Sequence, residues 1–441
     1  MMQPTKTKLG ASNWIAIVLL AFSGQIAWVV ENVWFNTFVN DVISPDPKVI
    51  SMMVAFSAIT ATLTTLVMGT LSDRLGKRKA IILISYILWG ISTIIFPIAG
   101  AIRSATAAIA AVIALDCLMT FFGSTANDAS FNAWLTNVTD ETNRGTVSGV
   151  TELFPLLAMV VTTIVSGVLI ERVGYTLFFV FMGLLVVLCG LVGGLLMKEA
   201  VFQREKTEGI GFWKQVFSGF SIRAVRENRM LFALYFCVLV FSIAEQISTP
   251  YEIIYFTKTL GYSYDVIGVN LGLMVLLAGV AGVFFGRLVD RWGKQRLMLV
   301  ALVLSAIGFL LVSFARSMGF LCVAIFVMAF GLVSKLIVSG AWIKDLTPPS
   351  MAGQFQGVRM VFWVLLPMVI GPFIGERLIR FFGQPIVVDG KSGFLPTHLI
   401  FIASALVTLL AILPVLRMIR STTNPAHPAS SDTTEIASSN R

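Results

Sequence analysis

Apolar runs of about 20 residues follow one another from Trp14 to Leu416, each parted from the next by a short cluster of charged or turn-forming residues. A run of that length crosses a hydrocarbon core about 30 Å thick as an α-helix, whereas a spanning strand needs only about ten residues. Only helices and closed barrels satisfy their backbone groups inside lipid, so this rhythm leaves the helical solution alone. A soluble domain is excluded as well, since 57% of the residues are hydrophobic and 12% charged, too few polar groups to cover a surface. The sequence therefore predicts an all-α membrane protein of twelve transmembrane helices.

The strongest motif is a charged turn between two of these runs, Gly69-Thr70-Leu71-Ser72-Asp73-Arg74-Leu75-Gly76-Lys77-Arg78-Lys79. It returns 217 positions later as Gly286-Arg287-Leu288-Val289-Asp290-Arg291-Trp292-Gly293-Lys294-Gln295-Arg296, with the shared frame Gly-x-Leu-x-Asp-Arg-x-Gly-Lys. A second repeat runs without a gap at an offset of 208, where Ala133-Trp134-Leu135, Thr139, Gly145, Gly149 and Val150 match Ala341-Trp342-Ile343, Thr347, Gly353, Gly357 and Val358. One six-helix unit is thus written twice. The expected organisation is a cytoplasmic tail over 1–11, an N-terminal half over 12–197, a linker over 198–228, a C-terminal half over 229–420 and a disordered cytoplasmic tail over 421–441. The linker carries Phe212, Trp213, Val216, Phe217 and Phe220 beside Lys214, Arg223 and Arg226, the pattern of a helix lying on a membrane surface. Residues 381–395 read as an external Gly-Pro loop.

The net charge of +9 reports orientation. With twelve spans, 23 Lys and Arg fall on the side of both termini and 8 on the other, leaving Lys335 within a span. That bias places both termini in the cytoplasm of a plasma (inner) membrane and removes nucleic acid as a partner. Cys117, Cys189, Cys237 and Cys322 each lie alone in an apolar run, and His398 and His427 are the two histidines, so no metal site or cofactor is expected. The first run is too long for a signal-peptide core and is read as a retained helix. Six residues separate Gly69 from Gly76, where a phosphate-binding loop needs four, so the chain is not expected to be an enzyme.

Within the spans the polar residues gather on a few helices. Helix 1 (13–39) carries Gln25, Trp28, Glu31, Asn32 and Asn36, the last four at helical steps that share a face. Polar groups facing lipid cost several kcal/mol each, so this face is expected to line a wet cavity. Helix 4 (106–135) holds Asp116, Ser124, Asn127, Asp128 and Asn132. Asp116 and Asn127 fall about 20° apart on a helical wheel and are candidates to bond each other, while Asp128 faces about 120° away. Helix 7 (230–257) repeats the habit of helix 1 with Glu245, Gln246, Pro250, Tyr251 and Glu252, and its proline predicts a break. The 208 offset pairs Asn127 with Lys335, and Thr151, beside Glu152, with Arg359. A charge pair between Glu152 and Arg359 across the halves is therefore expected.

The doubled turn resembles the loop signature of the major facilitator superfamily of membrane transporters. The resemblance implies a cavity between two halves, lined by helices 1, 4, 7 and 10. It also implies gating by the loop residues Gly69, Asp73, Arg74, Gly76, Gly286, Asp290, Arg291 and Gly293, with Glu152 and Arg359 as further gate residues. Helix 4 is similar to the glycoside–pentoside–hexuronide:cation symporters, of which melibiose permease is a member. Asp128-Ala129-Ser130-Phe131 falls on that family's Asp-x-Pro-Phe stretch, whose aspartate takes part in Na⁺ binding. That family's two helix 2 carboxylates would fall on Ala61 and Thr65, which supply no charge.

The expected function is a secondary active transporter moving a small organic solute by alternating access, coupled to H⁺ more readily than to Na⁺, because a proton needs only one desolvated carboxyl. Two readings compete: a cation symporter of a sugar-like polar solute, and a proton-coupled exporter of multidrug or amphipathic compounds. A reading of another class is a non-transporting receptor or scaffold. The substrate and coupling cavity is expected to hold Gln25, Trp28, Glu31, Asn32, Asn36, Asp116, Asn127, Asp128, Glu245, Gln246, Tyr251 and Lys335. The partners expected are the lipid bilayer and a small-molecule substrate, and the duplicated unit predicts a functional monomer.

Overall fold

The computed structural model describes residues 9–140, 143–198, 222–347, 352–388 and 390–423. The apolar stripe predicted over 212–220 and most of the predicted tail lie outside them. Eleven helical segments are long and apolar enough to cross a membrane. The fifth, Arg144–Leu196, has 53 residues, about 80 Å at 1.5 Å per residue and far more than one crossing needs. Gly174, at φ 76° and ψ 172°, interrupts it. A side chain is strained at that φ, so a glycine marks the join between helices 5 and 6 and the crossings number twelve, as the apolar rhythm predicts.

The helices are labelled in order: α1 Ala11–Ile43, α2 Pro47–Leu75, α3 Arg78–Ala101, α4 Ala105–Val138, α5 144–173, α6 175–196, α7 Arg229–Thr259, α8 Tyr264–Trp292, α9 Lys294–Phe314, α10 Met318–Leu346, α11 352–382 and α12 399–423. Local chemistry sets their ends. Asp46 caps α2 by accepting from the Lys48 N–H, with Pro47 in the first turn, and the Ser104 hydroxyl accepts from the Ala107 N–H at the start of α4. The signature glycines close the second helix of each half: Gly76 ends α2 at φ 67° and Gly293 ends α8 at φ 85°, in the region that favours glycine.

Wide π turns interrupt α1 (Val30–Phe35 and Val39–Ile43), α4 (Ser124–Phe131), α7 (Tyr255–Thr259) and α11 (Val361–Leu365). The predicted break in α7 is present as a 3₁₀ turn over Thr249–Tyr251, with Pro250 inside it. Such irregularities concentrate at functional sites, and here three of the four helices also carry the polar residues.

The halves meet along two helix pairs, α5 with α8 and α2 with α11. On the first pair the backbones approach closely: a Cβ on Gly167 would lie 2.4 Å from the Tyr264 carbonyl oxygen and 3.0 Å from the Gly268 Cα. The end of the bundle away from the signature loops is sealed. Asp46 of α2 pairs with Arg380 of α11 at 2.8 Å, and the Tyr251 hydroxyl bridges to the carbonyls of Pro47 and Pro372. Residues 381–395, expected to be a loop, contain an antiparallel hairpin, β1 Pro385–Val388 with β2 Lys391–Phe394. It reaches across to the other half, where the Phe394 N–H donates to the Pro45 carbonyl and Lys391 Nζ to that of Val42. Ile386-Val387-Val388 carries the β-branched residues that favour strands, a signal that the Gly-Pro reading passed over.

Candidate functional site

The N-terminal half buries two acids with hydroxyls as their partners. Glu31, on the first π turn of α1, is 5% exposed, and Asp116 of α4 is 1% exposed. Ser57 of α2 and Thr120 of α4 each place a hydroxyl oxygen 2.7 Å from Glu31 Oε1, and the two hydroxyl oxygens lie 2.6 Å apart. Asp116 sits against the same Ser57 and beside Glu31. Three mutual oxygen contacts of this length need three protons, and two hydroxyls supply two. A proton on Glu31 completes the ring: Glu31 donates to Ser57, Ser57 to Thr120 and Thr120 back to Glu31. Glu31 Oε2 and Asp116 Oδ1 are buried with no hydrogen-bond partner, and neither acid meets a Lys, Arg or His in an ion pair among the described residues. Two bare carboxylates here would cost far more than one shared proton.

The C-terminal half treats its acid differently. Glu245 of α7, 23% exposed, pairs with Lys335 of α10 at 2.7 Å, and the lysine is fully buried with its ammonium 4.9 Å from the centre of the Phe241 ring. Gln246 is half-buried, its Cβ packed on Gly371 of α11.

The remaining predicted residues divide into several groups. Gln25, Trp28 and Asn32 of α1 and Asp128 of α4 are half-buried. Asp128 lies against Ser124 and Asn127, and Trp28 packs on Trp89 at 5.0 Å. Asn32 and Asn36 donate to the carbonyls of Trp28 and Asn32, four residues back, satisfying backbone groups beside the π turn. Asn127 accepts from the Tyr86 hydroxyl at 3.3 Å and does not bond Asp116. The wheel argument assumed a regular helix, and the π turn over Ser124–Phe131 shifts that register. Tyr251 is 1% exposed within the sealed end and lines no open cavity.

Three basic residues of the signature loops make contacts within their own halves. Arg78 donates to the Ala133 carbonyl of α4, and Lys79 donates to the Leu195 and Met197 carbonyls at the end of α6. Lys294 pairs with Asp345 at the end of α10. Arg74 and Arg291 are exposed, while the side chains of Asp73 and Asp290 lie outside what the structure describes. A Cβ on Gly69 would meet nothing within 4 Å, and one on Gly286 would meet only Ile337 at 3.7 Å, so neither glycine marks a close approach here. Glu152 pairs across the halves with Lys344 at 3.2 Å, not with Arg359, whose guanidinium lies 4.8 Å over the Trp363 ring. The 208 offset aligned Arg359 with Thr151 of the repeat but did not bring it across the interface.

Sequence reasoning passed over the group that seals the far end. Asp41 of α1 accepts from the hydroxyls of Tyr175 (3.0 Å) and Tyr264 and pairs with Lys258 at 3.1 Å. Lys258 and Tyr264 belong to the other half. Arg380 adds Glu376 at 2.8 Å to its bond with Asp46. The available signal was the placement of acids and aromatics at one level of several helices, which a single helix wheel does not display. Ser57 and Thr120 gave no signal, being two hydroxyls among many.

A doubled six-helix bundle, sealed at one end and carrying buried acids on its first and fourth helices, has the architecture of a two-half membrane transporter. The Major Facilitator Superfamily model matches residues 14–254 and 234–439, and the chain belongs to that family. It is 27% identical over 257 residues to the "Multi-drug resistance efflux pump PmrA homolog" of Lactococcus lactis subsp. lactis (strain IL1403), covering 55% of this chain and 60% of that protein. It is 24% identical over 294 residues to "Sugar efflux transporter A" of Dickeya chrysanthemi, covering 65% and 69%. The chain thus spans 60% of the length of the first of these relatives. Among solved structures, the nucleoside transporter NupG superposes with a TM-score of 0.70 at 12% identity, covering 93% of this chain and 100% of that one.

Proposed function

We propose that the chain is a proton-coupled exporter of a small organic compound, acting as a monomer by alternating access with the signature-loop end in the cytoplasm. The single observation that carries the coupling is the ring of Glu31, Ser57 and Thr120, which closes only with a proton on the glutamate. Asp116, buried beside it without a base, keeps a second carboxyl in reach of the same proton. Asp128, half-buried on the same helix, is the step between this ring and solvent. The sealed far end and the exposed Lys344–Glu152 pair at the signature end are the two contacts that open and close in alternation. Export is favoured over import by the likeness to two relatives whose names describe efflux.

A second reading, cation symport of a sugar-like solute, is favoured by Gln25, Trp28 and Asn32, a half-buried amide-and-aromatic face on α1. Proteoliposomes with an imposed proton gradient separate the two. Solute moving against the proton flow marks exchange, and solute moving with it marks symport. Coupling that survives in Glu31→Gln would remove that residue from the proton path in either case. Flux that follows a Na⁺ gradient with no proton signal would overturn the choice of ion.

A further inference from the structure

Beyond the proton site, the C-terminal half holds a line of two rings with a cation at each end, and among the described residues no ion pair neutralises its outer end. Lys335 lies over Phe241 at 4.9 Å, Phe241 meets Trp363 edge-on at 6.4 Å, and Arg359 lies over Trp363 at 4.8 Å. Glu245 neutralises the lysine at the inner end. Arg359, at the outer end, is exposed and forms no ion pair among the described residues. Among the described residues, two cations and one anion leave the line with an excess positive charge. The stretch of α11 that carries it, including the π turn Val361–Leu365, packs against α7 of its own half and α2 of the other. None of the five residues of that turn is fully buried.

We infer that this line is a substrate subsite for an organic anion, specifically a flat aromatic carboxylate, its carboxylate on the Arg359 guanidinium and its ring alongside the Trp363 indole. The inference rests on the transporter reading above and adds the class of its substrate. An arginine fork offers two parallel N–H donors to a carboxylate and stacks on an aromatic face with little reorganisation. Trp363 supplies a π surface beside that fork and Phe241 backs it edge-on, so an aromatic acid engages charge and ring together. The Lys335–Glu245 pair fixes Phe241 from behind. The halves then divide the work: acids without bases in the first carry the proton, and cations in excess in the second take the anion.

The test uses the purified full-length protein and three probes with one ring system: naphthoate, naphthylmethanol and naphthylmethylammonium. Equilibrium binding is expected to favour naphthoate over the alcohol by about tenfold, the size of one charge-assisted hydrogen bond. Arg359→Gln is expected to abolish that preference and Arg359→Lys to keep part of it. Trp363→Leu is expected to erase the advantage of naphthoate over cyclohexanecarboxylate while leaving the charge preference in place. Equal binding of acid and alcohol, tighter binding of the ammonium probe, or an unchanged preference in a folded Arg359→Gln protein would each overturn the inference. Flux separates it from the transporter reading: proton-linked movement of all three probes alike would keep transport and sink the anion subsite. Arg359-dependent binding without proton-linked flux would keep the subsite and sink the coupling.

Discussion

Glu31 and Glu245 stand at corresponding places in the first helix of each half, 38 and 41 residues before their signature glycines, yet they are stabilised by different chemistry. Glu245 has a buried ammonium 2.7 Å away, a cation matched to its carboxylate. Glu31 has two hydroxyls and a neighbouring carboxyl, partners that tolerate the neutral acid. The difference arises at one repeat position, where the first half has Asn127 and the second has Lys335. On the proposed function, the glutamate held by a cation is structural and the one held by neutral hydroxyls exchanges the proton.

Breaking the fixed pair should have the largest effect on the fold. Lys335→Met leaves Glu245 without its cation and is expected to lower stability by about 3–5 kcal/mol. The double variant with Glu245→Leu should recover most of that loss, as read by unfolding in detergent. On the other side, Glu31→Gln should leave the fold within about 1 kcal/mol and reduce proton-coupled flux by roughly 100-fold, the scale of a lost proton-transfer group. A Glu245→Gln protein with the same flux defect would erase the contrast. Ser57→Ala opens the hydroxyl ring while keeping the acid, at an expected cost of about 1–2 kcal/mol and a measurable change in the pH dependence of flux. The smallest effect is expected from Lys344→Ala, because that pair is 70% and 69% exposed: less than about 1 kcal/mol, and less still at high salt.

The fold was legible because a run of about 20 apolar residues has one solution in lipid, and the repeats fixed the two halves. Helix 1's acid and the proline break in helix 7 were legible for the same reason, since polar groups and prolines are costly at that depth. What escaped were contacts between elements far apart in the chain. Asp41 gained its meaning from Tyr264 and Lys258, more than 200 residues away, and Lys344 displaced Arg359 as the partner of Glu152. The bond expected between Asp116 and Asn127 failed because eight residues of π turn separate the regular helix from its continuation, and no periodicity announces where a helix will widen.

The close approach of Gly167 to the backbone of α8 has a mechanical consequence. There backbone meets backbone, whereas toward the signature end the same two helices touch through the side chains of Ile164 on Gly272 and Leu156 on Gly279. A joint without side chains is stiff and short, and one made of leucine and isoleucine yields. On the alternating access proposed above, the glycine crossing is the fulcrum of α5, with an arm of about 22 Å at 1.5 Å per residue running from it to Glu152. Displacement grows along that arm, so a slight tilt at the crossing becomes a wide swing at Glu152. A side chain added at Gly167 would move the fulcrum itself and jam the stroke at both ends of the bundle at once.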